Sequence, residues 1–174
     1  MTKDTGVAIH SDALLGKRVL LAIAGGIAAV ESVRLARELR RHQADLTVIM
    51  SEEATKIITP LAVSWGSDTI VYQGWSSEMS QLEAFDAILI APATRNTISK
   101  HLHGIMDSPL LMALSASRGR KSKLCFVPSM HTDLFDDPVT SELLDALRDA
   151  VSYTHLRAHE TGRNVVCRLR REKK

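Results

Sequence analysis

The sequence predicts an α/β fold: a three-layer, Rossmann-like (flavodoxin-like) parallel sheet with helices on both faces. Three observations carry that prediction. Compact apolar runs recur along the chain, at Lys17 to Ala24, Leu46 to Met50, Ala87 to Ala91 and Leu124 to Val127. Runs that are apolar on both faces mark central strands of parallel sheets. Between them lie segments of helical periodicity, and strands alternating with helices build a doubly wound sheet. No repeat or low-complexity stretch interrupts the alternation.

Each element has its own warrant. Residues 1–16 are polar and irregular and read as a leader; the domain proper spans 17–150. KRVLLAIA, Lys17 to Ala24, is the first strand, ended by Gly25-Gly26. From Ile27 to Arg41 the pattern is helical. Ile27, Val30, Val33, Leu35 and Leu39 fall near one face, with Arg34, Arg37, Glu38, Arg40 and Arg41 elsewhere. LTVIM, Leu46 to Met50, is the second strand. Ser51 followed by Glu52 and Glu53 is a capped helix start with acids in its first turn. Pro60 interrupts that helix, and 61–77 holds no clear pattern beyond a short strand at Ile70-Val71-Tyr72. AILIA, Ala87 to Ala91, is a buried strand closed by Pro92. Thr94 to His103 reads as a loop running into a helix, and Pro109 to Ser117 as another helix. Leu124 to Val127 is a strand ended by Pro128, and Val139 to Arg148 an amphipathic helix.

Composition bounds the class of protein. At 174 residues the chain holds one domain's worth, given ~100–200 residues per domain. Hydrophobic residues at 45% and charged residues at 24% exclude a disordered chain. Aromatics at 4% leave the core to Ala, Leu, Ile and Val. The longest apolar run, Val19 to Ala24, falls far short of the ~20 residues a membrane span needs. The start, Met1-Thr2-Lys3-Asp4, lacks the apolar stretch of a secretory signal. The expectation is a soluble, cytoplasmic domain with no membrane partner.

The net charge of +2 is unevenly distributed. Residues 151–174 hold seven Lys/Arg against Glu160 and Glu172, leaving 15 basic and 18 acidic residues in 1–150, a net of −3. A basic tail on an acidic body ordinarily suggests a nucleic-acid or membrane arm. Here VSYTHLRAHET, Val151 to Thr161, back-translates codon by codon into a widely used transposase sequencing adapter. After a short variable stretch, Val166-Cys167-Arg168-Leu169 and Glu172-Lys173-Lys174 resemble the distal adapter in the same frame, with errors. Residues 151–174 are therefore expected to be adapter translation rather than native sequence, with the native chain continuing past Ala150. Such segments are left out of fold reasoning, and no nucleic-acid partner is expected. Setting the tail aside leaves one cysteine, Cys125. It sits in an apolar run, which predicts a buried, inert thiol in a reducing compartment. No metal-ligand spacing of the usual kinds is present, and no metal is expected.

In a doubly wound sheet, ligands bind at the carboxyl ends of the strands. That points to loops 24–28, 50–54, 91–97 and 127–133. AGGIAA, Ala24 to Ala29, is a strand-to-helix turn. Its glycines let a backbone approach a ligand, and the helix start offers N–H groups to an anion. It is neither a full dinucleotide fingerprint nor a P-loop, so a plain tight turn and a phosphate cradle are both open. Ser51 is a cap whose hydroxyl also points at the crevice. In Ala91-Pro92-Ala93-Thr94-Arg95-Asn96-Thr97, the hydroxyls and amide of Thr94, Asn96 and Thr97 suit a heteroaromatic ring with carbonyls and ring nitrogens. Pro128-Ser129-Met130-His131 is rigid at its start and then polar.

Five segments in order resemble one family. They are LLGKRVLLAIAGGIAA, MSEEATKIITP, DAILIAPATRNTISK, GIMDSP and VPSMHTDLFDDP, together spanning about His10 to Arg148. The chain resembles the homo-oligomeric flavin-containing cysteine decarboxylases, in particular the decarboxylase half of bifunctional phosphopantothenoylcysteine decarboxylase/synthetase. The resemblance implies FMN as cofactor. It implies that Gly25, Gly26, Ile27 and Ala28 cradle the FMN phosphate, with Ser51 adding a hydroxyl. Thr94, Asn96 and Thr97 would lie by the flavin and the substrate. Met130 and His131, with Asn96, would contact the substrate, His131 standing where many members have a carboxylate-binding Asn. Homo-oligomers, trimers or dodecamers, and a small-molecule substrate of coenzyme A biosynthesis are implied as partners.

Three departures matter. The family's decarboxylating histidine belongs shortly before the AILIA strand, where this chain reads Glu78-Met79-Ser80-Gln81-Leu82-Glu83-Ala84-Phe85-Asp86. No histidine occurs between His42 and His101, so the catalytic base is unassigned near Met79 and Ser80. His101 and His103, on a later helix, read as packing or solvated groups. Arg95 replaces a small residue and can pair with a flavin phosphate, with an acidic substrate, or face solvent. The substrate-covering flap with its reducing cysteine would follow Ala150. Two alternatives to a decarboxylase stand: a flavin reductase or electron carrier, and an inactive regulatory subunit of a mixed oligomer.

Overall fold

The computed structural model describes residues 6–75, 77, 82–150 and 153–154. The first strand, β1 (Arg18–Ile23), is followed by a 3-10 turn (Ile27–Glu31) and α1 (Ser32–Arg41). Then come β2 (Asp45–Met50), α2 (Glu52–Thr55), α3 (Pro60–Ser67) and β3 (Val71–Tyr72). The second half is β4 (Ala87–Ala93), α4 (Arg95–Leu102), α5 (Pro109–Gly119), β5 (Lys123–Pro128), α6 (Thr132–Phe135), α7 (Pro138–Ala150) and β6 (Tyr153–Thr154). The strands form one sheet in the order β3-β2-β1-β4-β5-β6, every pairing parallel. This is the doubly wound order, and without the two-residue β3 it is the flavodoxin-like one. The order reverses between β1 and β4, which sets the switch point.

Side chains alternate across β1, as successive strand residues must. Val19, Leu21 and Ile23 pack with Leu46, Val48, Met50, Ala29, Ala36 and Val63 on one face. Leu20 and Ala22 pack with Ile88, Ile90, Phe126, Leu114 and Leu147 on the other. The sheet is thus covered on both sides, by α1 and α3 and by α4, α5 and α7. That coverage explains why its strands are apolar throughout. Among the described residues no helix is long and apolar enough to cross a membrane.

The structure departs from the sequence reading at four places. The helix expected from Ile27 starts as a 3-10 turn, and its buried side is Ala29, Ser32 and Ala36, with Val33, Leu35 and Leu39 half-buried. Ile27 and Val30 are exposed instead, because small residues let the turn and helix approach the sheet more closely. Pro60 does not interrupt a helix but begins one: Thr59 caps α3, accepting the Ala62 N–H, and Pro60 stands at N1, where no N–H is needed. The 127–133 loop continues into α6, capped by His131. Cys125 is half-buried rather than buried, since alternate residues of β5 lie less deep. The segment read as adapter translation lies outside the described residues except for Tyr153–Thr154, which pair with Cys125 and Phe126.

Candidate functional site

Three strand ends converge at the switch point because backbone hydrogen bonds tie their loops together. The Ala24 N–H donates to Pro92 O at 3.2 Å and the Ser129 N–H to Ala93 O at 3.0 Å. The end of β4 therefore carries the loop after β1 on one side and the loop after β5 on the other. Pairing of β4 with β5 shifts register between Ile90 and Ala93, where the Ala91–Pro92 bond is cis.

These loops enclose a cavity of about 370 Å³ lined by Gly25, Gly26, Ile27, Thr94, Arg95, Asn96, Ser129, Met130, His131 and Leu134. Its walls mix apolar side chains with a few polar groups, the composition of small-molecule sites. Of the residues singled out from sequence, Gly25, Gly26, Ile27, Thr94, Asn96, Met130 and His131 meet here. Ala28, Ser51 and Thr97 are not among the lining. Ser51 caps α2, its Oγ accepting the Ala54 N–H at 3.2 Å. Thr97 is buried beneath the wall, its Oγ1 2.9 Å from that of Thr94. Thr94 Oγ1 in turn accepts the Thr97 N–H at 3.2 Å, which sets the start of α4.

The two glycines serve different purposes. A Cβ on Gly25 would lie 2.3 Å from Glu53 Cβ and 3.0 Å from Glu53 C, so the glycine lets α2 close on the turn. A Cβ on Gly26 would find Thr94 Cγ2 at 3.4 Å, an ordinary contact. Gly26 caps the 3-10 turn without a side-chain acceptor. The first N–H groups of the turn, on Ile27 and Ala28, are thereby left for a ligand or solvent.

His131, from the loop after β5, is exposed, and its Nδ1 lies 3.3 Å from both Asp133 N and Asp133 Oδ2. Where Nδ1 accepts that N–H, the ring proton sits on Nε2 and can be donated to a ligand. Arg95 neither faces solvent freely nor stands alone: its Nη1 donates to Asp137 Oδ2 at 2.6 Å. Asp137 Oδ1 accepts the Val139 N–H at 3.0 Å. That N–H first, and the Arg95 guanidinium second, hold the Asp137 carboxyl below the usual carboxylate range. Sequence reasoning left out Ser129 and Leu134 as lining residues. Leu134 gave one signal only, an apolar residue within the polar run TDLFDD.

His101 is fully buried, 5.2 Å from the ring of Phe126, and belongs to the core rather than to the cavity. Met79 and Ser80 lie outside the described residues. Among the described residues no group of three or more His, Cys, Asp or Glu can hold a metal ion.

Strand order, switch-point cavity and glycine turn define a doubly wound ligand-binding domain. The chain belongs to the Flavoprotein family, whose profile matches residues 7–168. It is 38% identical over 148 residues to the coenzyme A biosynthesis bifunctional protein CoaBC of Thermococcus kodakarensis, a match covering 81% of this chain and 36% of that protein. The chain thus spans about a third of that relative's length. It is 26% identical over 140 residues to a probable phosphopantothenoylcysteine decarboxylase of Streptococcus mutans, covering 76% of this chain and 78% of the relative. The fold matches the crystal structure of the FMN-dependent cysteine decarboxylase SpaF with a TM-score of 0.72 at 22% identity, over 82% of this chain and 85% of that one.

Proposed function

We propose that residues 17–150 form an FMN-binding domain of the phosphopantothenoylcysteine decarboxylase type, acting on a cysteine-derived carboxylate in coenzyme A biosynthesis. The observation that carries this reading is the convergence of the three loops on one cavity, in a chain similar to CoaBC over most of its length. The residues fit the cofactor. Gly26 opens the turn, the N–H groups of Ile27 and Ala28 are available to a phosphate, and Gly25 lets the turn close on α2. Ser51 caps α2 and does not line the cavity, but its O–H remains able to donate from the neighbouring strand end. Thr94 and Asn96 offer polar groups to the ring, with Thr97 fixing Thr94 from below. Asn96, Met130 and His131 face the substrate, where the His131 Nε2–H can hold a carboxylate. Bound FMN supplies a two-electron acceptor for the cysteine end of the substrate, so that CO2 can leave and the resulting enethiol can be reduced again.

The visible absorption spectrum of the purified chain, with the released cofactor identified by mass, tests the reading. A yellow protein carrying FMN is expected; a colourless chain that also fails to take up added FMN ends it. The absence of histidine between His42 and His101 favours a second reading, a flavoprotein that no longer decarboxylates and serves as a reductase, an electron carrier or a regulatory subunit. Met79→His and Ser80→His separate the two. Decarboxylation that rises in either variant shows that only the base was lost, and no gain with flavin still bound favours the second.

The homo-oligomer, a trimer or dodecamer, is supported by Ile27 and Leu134, which line the cavity yet are 64% and 46% exposed. A second subunit would cover them. A cytoplasmic location fits a body with the single cysteine Cys125. Reading the source DNA across codon 150 tests whether 151–174 are adapter translation; genuine coding sequence there would sink that idea.

A further inference from the structure

We propose that Arg95 is a further anion-recognition residue of the cavity, in addition to the Ile27 and Ala28 N–H groups and His131, positioned by Asp137 to take a phosphate or carboxylate of the bound ligand. Among the described residues lining the cavity it is the one permanent cation. It stands on the first turn of α4 and lines the cavity together with Asn96 and His131. Its guanidinium carries five N–H donors in a rigid fork, and Asp137 engages Nη1 alone. Asp137 is itself fixed at the start of α7 by the Val139 N–H. One nitrogen of the fork is thus anchored to a rigid carboxylate, and among the described residues the remaining donors have no partner, which leaves them to a ligand. The side chain is about a quarter exposed, buried enough for a charge-assisted bond to hold against water. The other nearby acids, Asp133 and Asp136, are exposed and leave the fork to Asp137.

The anion's source divides in two, and the inference rests on the flavin reading only for that identity. If the flavin phosphate is the source, Arg95→Gln weakens FMN binding about tenfold or more and leaves riboflavin, which lacks the phosphate, unchanged. If a substrate carboxylate is the source, FMN binding is unchanged. The flavin-loaded variant then loses the preference for N-acetylcysteine over its uncharged amide, read from perturbation of the flavin spectrum. Asp137→Asn, which keeps the arginine but frees it, gives a discrimination between wild type and Arg95→Gln, and Arg95→Lys restores part of it. A purely structural ion pair would lower the Tm of these variants without moving either ratio. A wild-type chain that discriminates neither pair, or an Arg95→Gln chain that discriminates as wild type does, overturns the proposal. Should neither flavin bind, the flavin reading fails, and the anion site is read on inorganic phosphate alone. Phosphate then raises the wild-type Tm but not that of Arg95→Gln; equal rises, or none, overturn it.

Discussion

Gly25 and Gly26 are neighbours in sequence, yet a methyl group meets different surroundings at each. At Gly25 it would drive into Glu53 Cβ and the Glu53 backbone, neither of which can swing away. Gly25→Ala is expected to destabilise the domain by about 1–3 kcal/mol, the usual cost of overpacking, measured as a lower midpoint in urea. At Gly26 the added carbon fits at ordinary distance from Thr94 and Pro92. Gly26→Ala is expected to keep its unfolding free energy, read from urea melts, within about 0.5 kcal/mol of wild type and to bind flavin less tightly, since Gly26 lines the cavity. A Gly26→Ala chain that melts early while binding flavin normally would reverse these assignments. The pair of glycines was visible in the sequence as a turn. Which one faces the ligand and which one faces α2 was not, because Glu53 is brought to Gly25 by the pairing of β1 with β2.

At the scale of elements, α4 holds the cavity at one end and buries His101 at the other. Among the described residues neither ring nitrogen of His101 has a hydrogen-bond partner. Burial, with the nearby Arg118 charge adding to it, pushes the His101 pKa down from 6.5 to about 4. The folded chain therefore binds fewer protons than the unfolded one between these values. Stability conferred by the neutral ring is present above about pH 6.5 and is lost as pH falls toward 4. The loss amounts to about 3 kcal/mol. Comparing urea midpoints of wild type and His101→Leu at pH 7 and pH 4.5 checks this: the wild type loses stability more steeply, and parallel curves would contradict it. The sequence placed His101 on a helix but left packing and solvation open, because the choice depends on where α5 and β5 lie. Phe126 on β5 and Arg118 on α5 decide it.

At the scale of the whole molecule, two of the cavity's lining residues, Ile27 and Leu134, are exposed apolar side chains, and Val30, Phe135 and Val139, near them in the chain, are exposed as well. Light scattering of the purified chain is expected to give at least three times its 19.1 kDa mass. Val30→Glu with Phe135→Glu should lower that value, whereas a monomeric wild type would remove the reading of a shared site. The sequence by itself determined the α/β class, the order of the central strands along the chain and the loops where function belongs. It could do so because two-sided burial writes unbroken apolar runs, and each of the four runs is followed by a Gly, Pro or capping residue, Gly25, Ser51, Pro92 and Pro128. Only the tertiary structure decided which of those loops meet. Ala24, Pro92 and Ser129 are far apart in the chain and are joined by hydrogen bonds that exist once β4 lies between β1 and β5. The same holds for Arg95, whose partner Asp137 stands 42 residues away. Local spacing records the face an element must bury, but it carries no record of the neighbour against which that face comes to rest.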